Sequence, residues 1–212
     1  MMKSRILNRV HTAQIIVICA IAGLGYIMLD PNQPVPIHWN LWGEVDNRWP
    51  AKWALLIGPV LSLAFFAGAL AIGRREKGSW LAPLTTSMLA LLILLEMIML
   101  LTGLGVGLNV PRIITMAIGL LLVVIGNYLP KSQPNNAFGI RYPWTLSNER
   151  VWAQTNLFAG WFFMLVGIGC VLFAALLEVA APFYFAILIS GLVAALIIIT
   201  AYSYQLSKKL NS

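Results

Sequence analysis

Charge is what this chain has least of. Asp, Glu, Lys and Arg make up 10% of its 212 residues, against 60% hydrophobic, and the mean hydropathy is +0.84. That balance excludes an ordinary soluble domain. Cysteine is almost missing: Cys19 and Cys170 both fall inside apolar runs, so neither a disulfide framework nor a cysteine-rich metal site is indicated. No Ser-His-Asp set, no Walker loop and no HExxH pair occurs, which leaves the common hydrolase, nucleotide and zinc-peptidase chemistries without carriers. Nor is there the apolar-polar alternation of barrel strands in runs such as "MLALLILL" and "ILISGLVAALIII". "GLGVGLNV" is no dinucleotide loop, because no strand precedes it; Gly103 and Gly107 fit a tight hairpin or a close helix approach.

What the chain does have is long apolar stretches. About 20 residues at roughly 1.5 Å each cross a hydrocarbon core of roughly 30 Å, and six such runs recur: 13–29, 53–72, 80–102, 112–129, 151–177 and 182–204. The reading is an all-α integral membrane protein with six transmembrane helices. It divides into an N-terminal two-helix unit, 1–75, and a four-helix unit, 76–212. The basic start and "AIAG" have the look of a signal peptide, but the apolar segment runs on to Leu29, longer than a signal core, and is read as a retained span.

Basic residues orient the bundle. Lys3, Arg5, Arg9, Arg74, Arg75, Lys77, Lys131, Arg141, Arg150, Lys208 and Lys209 fall on one side, and Arg48, Lys52 and Arg112 on the other. The positive-inside rule places both termini in the cytoplasm, with external loops at 30–52, 103–111 and 178–181. This asymmetry accounts for the net charge of +7 without nucleic acid as a partner.

The first external loop, "DPNQPVPIHWNLWGEVDNRWPAKW", holds four prolines, four tryptophans and one glycine. Prolines make it extended and stiff, Gly43 supplies a turn, and the tryptophans suit the headgroup level. The expectation is a surface-lying or re-entrant loop. His38, Glu44 and Asp46 are possible zinc ligands by type, but with a single histidine and no fixed spacing a hydrogen-bonded interface loop is the better reading.

The loop between spans four and five, "YLPKSQPNNAFGIRYPWTLSNERVWAQTNLFAG", is the most structured connector in the sequence. Pro130 and Pro134 stop one helix, Asn135 and Asn136 suit a turn, and Gly139 can take a positive φ. Thr145 and Ser147 are candidate N-caps for the next helix, with Glu149 in its first turn. Helical spacing lines up Glu149, Trp152 and Asn156, with Thr155 beside them. Arg141 can reach a carboxylate, a phosphate or the carbonyls ending helix four, and Trp144 suits an anchor at the lipid headgroups.

These residues resemble a known family. Gly126-Asn127, Pro130-Lys131, Asn135, Phe138-Gly139-Ile140-Arg141-x-Pro143-Trp144-Thr145-Leu146-Ser147-x-Glu149-x-Val151-Trp152-x-x-Thr155 and Gly160 are similar to the SdpI family of bacterial immunity proteins. Pro36-Ile37-His38-Trp39-Asn40-x-x-Gly43-x-x-Asp46 resembles a segment that often precedes SdpI-type domains. The resemblance implies a six-helix protein of the bacterial plasma membrane that protects against a secreted SdpC-type peptide toxin. It also implies a possible cytoplasmic ArsR-type repressor held at the membrane when toxin is present, with no cofactor and no catalysis. Arg141, Pro143, Trp144, Thr145, Glu149, Trp152 and Thr155 are then candidates for partner contact, and His38 and Asn40 for toxin contact. One departure stands out: the family commonly continues Thr-His-Arg where this chain has Thr155-Asn156-Leu157, which puts the family's signalling in doubt here.

Glu96, in "LLILLEMIML", lies in the outer half of the third span. A carboxylate there costs about 2.5–3.5 kcal/mol on the insertion scale, which the surrounding Leu and Ile offset, and it is a functional candidate by default. Ser62, Thr85, Thr86, Ser87, Asn127, Ser190 and Thr200 are the side-chain partners the spans offer. A rival reading makes the protein a small secondary transporter with Glu96 as the coupling carboxylate and Pro59 as a hinge. An intramembrane enzyme ranks last, for want of a nucleophile-base pair.

Overall fold

The computed structural model describes residues 9–76 and 78–211, so Lys3, Arg5 and Lys77 of the charge count lie outside the described residues. Among the described residues, six helices are long and apolar enough to cross a membrane. They are α1 (Arg9–Met28), α3 (Ile57–Arg75) with the short α2 (Ala51–Ala54) leading in, α4 (Leu81–Gly103), α5 (Val110–Tyr128), α7 (Glu149–Leu176) and α8 (Ala181–Asn211). All six runs expected from hydropathy are present, and the protein is a multi-pass membrane protein. One further element, α6 (Pro143–Leu146), is a single turn inside the connector between α5 and α7.

Polar atoms sit where the helices need them. Asn109 caps α5 by accepting from the Arg112 N–H at 3.2 Å. The Arg112 guanidinium in turn donates to the carbonyls of Ala174 and Ala175 at 2.6 and 3.0 Å, satisfying the otherwise orphaned end of α7. One residue thus ties the start of one span to the end of another.

The first external loop differs from a plain surface loop. It is a two-stranded antiparallel hairpin, β1 (Pro34–Trp39) against β2 (Val45–Pro50), with bulges around His38. Gly43 turns it at φ 78°. Prolines do not prevent this, because Pro34, Pro36 and Pro50 stand in a ribbon with two free edges, where a missing N–H costs nothing. Val35 is fully buried with Ile21, Leu29, Leu55 and Met99, so the hairpin is seated on the ends of α1 and α4.

Helix packing groups α1, α3 and α4 together and α5, α7 and α8 together, with α4 and α5 touching between the groups. The closest approach is α5 against α7. A Cβ on Gly126 would lie 2.6 Å from the Gly160 carbonyl oxygen, and a Cβ on Gly160 would lie 2.6 Å from the Gly126 carbonyl oxygen. Gly119 and Gly167 repeat the arrangement, with the Gly167 carbonyl 2.8 Å from a Cβ on Gly119. Small residues let the backbones meet where lipid offers no hydrophobic drive.

Candidate functional site

The chain presents two non-helical faces. One carries the hairpin; the other carries the 129–148 connector together with the 78–80 segment, the start of α1 and the end of α8.

On the second face the connector is pinned from below. A turn of 3-10 helix (Leu129–Lys131) ends α5, and Asn135 then organises the bend, its Oδ1 accepting from the N–H groups of Ala137 and Phe138 at 2.8 and 2.7 Å. Two buried residues of α7 hold the stretch on either side of that bend. The Trp152 indole donates to the Ser132 carbonyl at 2.8 Å; Asn156 accepts from the Ile140 N–H at 2.9 Å and donates to the Trp152 carbonyl at 3.0 Å. Gly139 passes between them with φ 128°, and a Cβ there would lie 2.6 Å from the Trp152 ring and 3.0 Å from Asn156 Oδ1. Only glycine fits both the backbone angle and the space.

The next residues are fastened sideways. Thr145 is buried; its hydroxyl donates to the Ile140 carbonyl at 2.6 Å and accepts from the Tyr142 N–H at 2.9 Å. Tyr142 shares a 2.6 Å hydrogen bond with Thr200 of α8. Trp144 stacks on Tyr142 with centroids 4.7 Å apart and donates to Ser203 at 3.1 Å. Trp144, the residue expected to anchor at the headgroups, is thus also tied to α8.

Several local expectations are corrected. The cap of α7 is Asn148, whose Oδ1 accepts from the N–H groups of Arg150 and Val151; Thr145 and Ser147 lie before it. Arg141 donates to the Asn136 carbonyl of its own loop, not to the end of α5. Of the stripe on α7, Trp152, Thr155 and Asn156 are buried together while Glu149 is exposed. Pro143 and Arg141 are exposed as well.

On the hairpin face His38 pairs with Asp46 across the strands, Nδ1 to Oδ1 at 2.6 Å, and both side chains are well exposed. Asn40 donates to Glu44 at 3.1 Å and accepts from the Trp42 and Glu44 N–H groups. His38, Asp46 and Glu44 therefore do not converge on one point, and no group of three or more metal-ligating side chains occurs among the described residues.

Glu96 is fully buried, and its partner is none of the hydroxyls or amides in the spans. Oε2 accepts from the backbone N–H of Gly58, 3.2 Å away at the start of α3. The carboxylate lies at the positive end of that helix, which favours it there. Oε1 has no partner among the described residues. A sequence shows such a partner only as a glycine, since the donor is backbone.

Residues 131–203 match the SdpI/YfhL protein family. Along 203 residues the chain is 32% identical to a protein of Bacillus subtilis (strain 168) described as "Immunity protein SdpI", covering 93% of this chain and 95% of that one. No solved structure matches. With identity at that level along nearly all of both chains, and with residues 131–148 of the clasped connector inside the matched segment, this protein belongs to the SdpI family.

Proposed function

We propose that this protein confers immunity on the cell that makes it, acting in the bacterial plasma membrane against a secreted SdpC-type peptide toxin. The observation that carries the reading is the match of 32% across 93% of the chain to a protein named for immunity. The role is binding and signalling, without catalysis. Arg9, Arg74, Arg75, Lys131, Arg141, Arg150, Lys208 and Lys209 share one face, and that asymmetry supports a cytoplasmic location for the connector and both termini, leaving the hairpin outside. In this arrangement His38 and Asn40 meet the toxin. Arg141 and Pro143, exposed on a connector held by Trp152, Thr145 and Trp144, and Glu149 at the start of α7, dock an ArsR-type repressor.

The test is survival of a toxin-sensitive bacterium carrying this gene or an empty vector, under challenge with an SdpC-type peptide. Protection supports the reading. Unchanged killing at confirmed membrane expression overturns it.

A second reading rests on Glu96, a fully buried carboxylate with one unpartnered oxygen among the described residues. It makes the protein a small secondary transporter with Glu96 as the coupling group. Under that reading Glu96→Gln abolishes proton-coupled flux in reconstituted vesicles; flux equal to the unsubstituted protein rules it out.

A further inference from the structure

Two hollows meet at Trp80. Toward the bilayer, α3 and α5 stand apart on either side of α4 and leave an apolar cleft of about 360 Å³, bounded by Gly68 and Ile72 of α3, Leu84 and Met88 of α4, and Leu121 and Ile125 of α5. It extends along α4 from Leu81 to Met88, roughly 10 Å at about 1.5 Å per residue, so it runs from the membrane surface into the hydrocarbon. Toward water, Glu76, Ser79, Lys131 and Gln133 surround a polar pocket of about 380 Å³. Trp80 lines both, and its ring stacks on Phe138 with centroids 4.9 Å apart.

Trp80 is 5% exposed as a residue, and no hydrogen bond joins its indole N–H, which is not among the buried unpartnered atoms, to the described residues. Nε1 occupies the space that a Cβ on Gly78 would take, and Gly78 also lines the polar pocket. A donor is therefore aimed into the pocket at the level where apolar and polar halves join.

Among the described residues, the charges lining the pocket are one of each sign. Lys131 is held by Asn127 at 3.2 Å and over the Tyr128 ring at 4.7 Å, which leaves further ammonium hydrogens to donate. Glu76 receives only a long contact, 3.5 Å, from the Asn136 N–H to one oxygen. A cation and a carboxylate around one pocket complement a zwitterion better than they do a pure anion or a neutral head.

We propose that this is a binding site for one phospholipid whose head carries both a phosphate and a primary ammonium, a phosphatidylethanolamine. One acyl chain lies in the cleft between α3 and α5. The phosphate accepts from Lys131 and the Trp80 indole, and the ammonium donates to Glu76. A quaternary head such as choline has no N–H to donate, and a glycerol head brings no cation to Glu76.

The experiment uses the purified full chain, stripped of lipid in detergent, with phosphatidylethanolamine, phosphatidylcholine or phosphatidylglycerol of the same acyl composition added back, and bound lipid counted by native mass spectrometry. The ethanolamine lipid is expected to bind about tenfold more tightly than the other two, the scale of a hydrogen bond to a charged group. Glu76→Gln is expected to erase the preference over the glycerol lipid while binding of the latter persists. Gly68→Phe fills the cleft from α3, where an added Cβ meets nothing within 4 Å, and is expected to lower binding of all three. Equal affinity for the three headgroups, a preference for the glycerol lipid, or a preference that survives Glu76→Gln overturns the proposal. The headgroup comparison and the Glu76→Gln result do not depend on how Gly68→Phe folds.

Discussion

The hairpin and the connector are the two places where this chain leaves the helical state, and they are held in opposite ways. The hairpin is a backbone ladder: its strands pair with each other, Val35 seats it, and the motif residues His38, Asn40 and Asp46 remain on show. The connector has almost no backbone pairing of its own. Side chains rising from α7 and across from α8 fix it, and Thr145 of the connector and Trp152, Thr155 and Asn156 of α7 are buried beneath it. A motif can therefore mark either a displayed surface or the means of holding one. The connector displays Lys131, Asn136, Arg141, Pro143, Leu146 and Ser147 among others, with Glu149 exposed just beyond it at the start of α7.

Substitutions separate the two kinds. The largest effect is expected from Trp152→Ala, which empties a fully buried site and frees the Ser132 carbonyl; a loss of about 3–5 kcal/mol should appear as a lower unfolding temperature and rapid protease cleavage within 132–148. Gly160→Val comes next, since its Cβ meets the Gly126 carbonyl, and overpacking of about 1–3 kcal/mol should weaken the α5–α7 pair, read by thermal unfolding. Asn156→Ala removes the acceptor of the Ile140 N–H and should cost about 1–2 kcal/mol, with hydrogen exchange at Ile140 accelerating while α1 and α4 stay protected. At the hairpin, His38→Ala breaks an exposed pair worth about 0–1 kcal/mol, so stability should hold while toxin resistance falls. Smallest in stability is Arg141→Ala, which should leave unfolding unchanged and abolish recruitment of the repressor, measured by co-purification from membranes; a repressor that still co-purifies moves docking off the connector.

That contrast also explains how far the sequence is legible. Six spans follow from hydrophobic length alone, because the bilayer sets a fixed span for every helix. The hairpin is hidden: four prolines within 31–50 argue against strand unless the ribbon is known to have free edges. Asn148 does not stand out by residue type, because Thr145, Ser147 and Asn148 can all cap a helix, and only the extended φ of −143° at Asn148 decides among them. Glu96 has hydroxyl and amide side chains to choose from in the spans and takes a main-chain N–H instead. The α5–α7 contact does leave a trace in the sequence: Gly119 and Gly126 are seven residues apart on α5, as are Gly160 and Gly167 on α7, the spacing of two small-residue faces that meet.

Those paired glycines have a mechanical meaning. Where two backbones touch at both levels, sliding one helix past the other by a single residue, about 1.5 Å, would drive a side chain into a carbonyl, and twisting either one would do the same. α5 and α7 consequently pack as one stiff unit, with the connector at one end and Arg112 joining the two helices at the other. Gly43 of the hairpin abuts Pro111 at the start of α5 and Ala181 at the start of α8, so the α5–α7 pair reaches from the hairpin face to the connector.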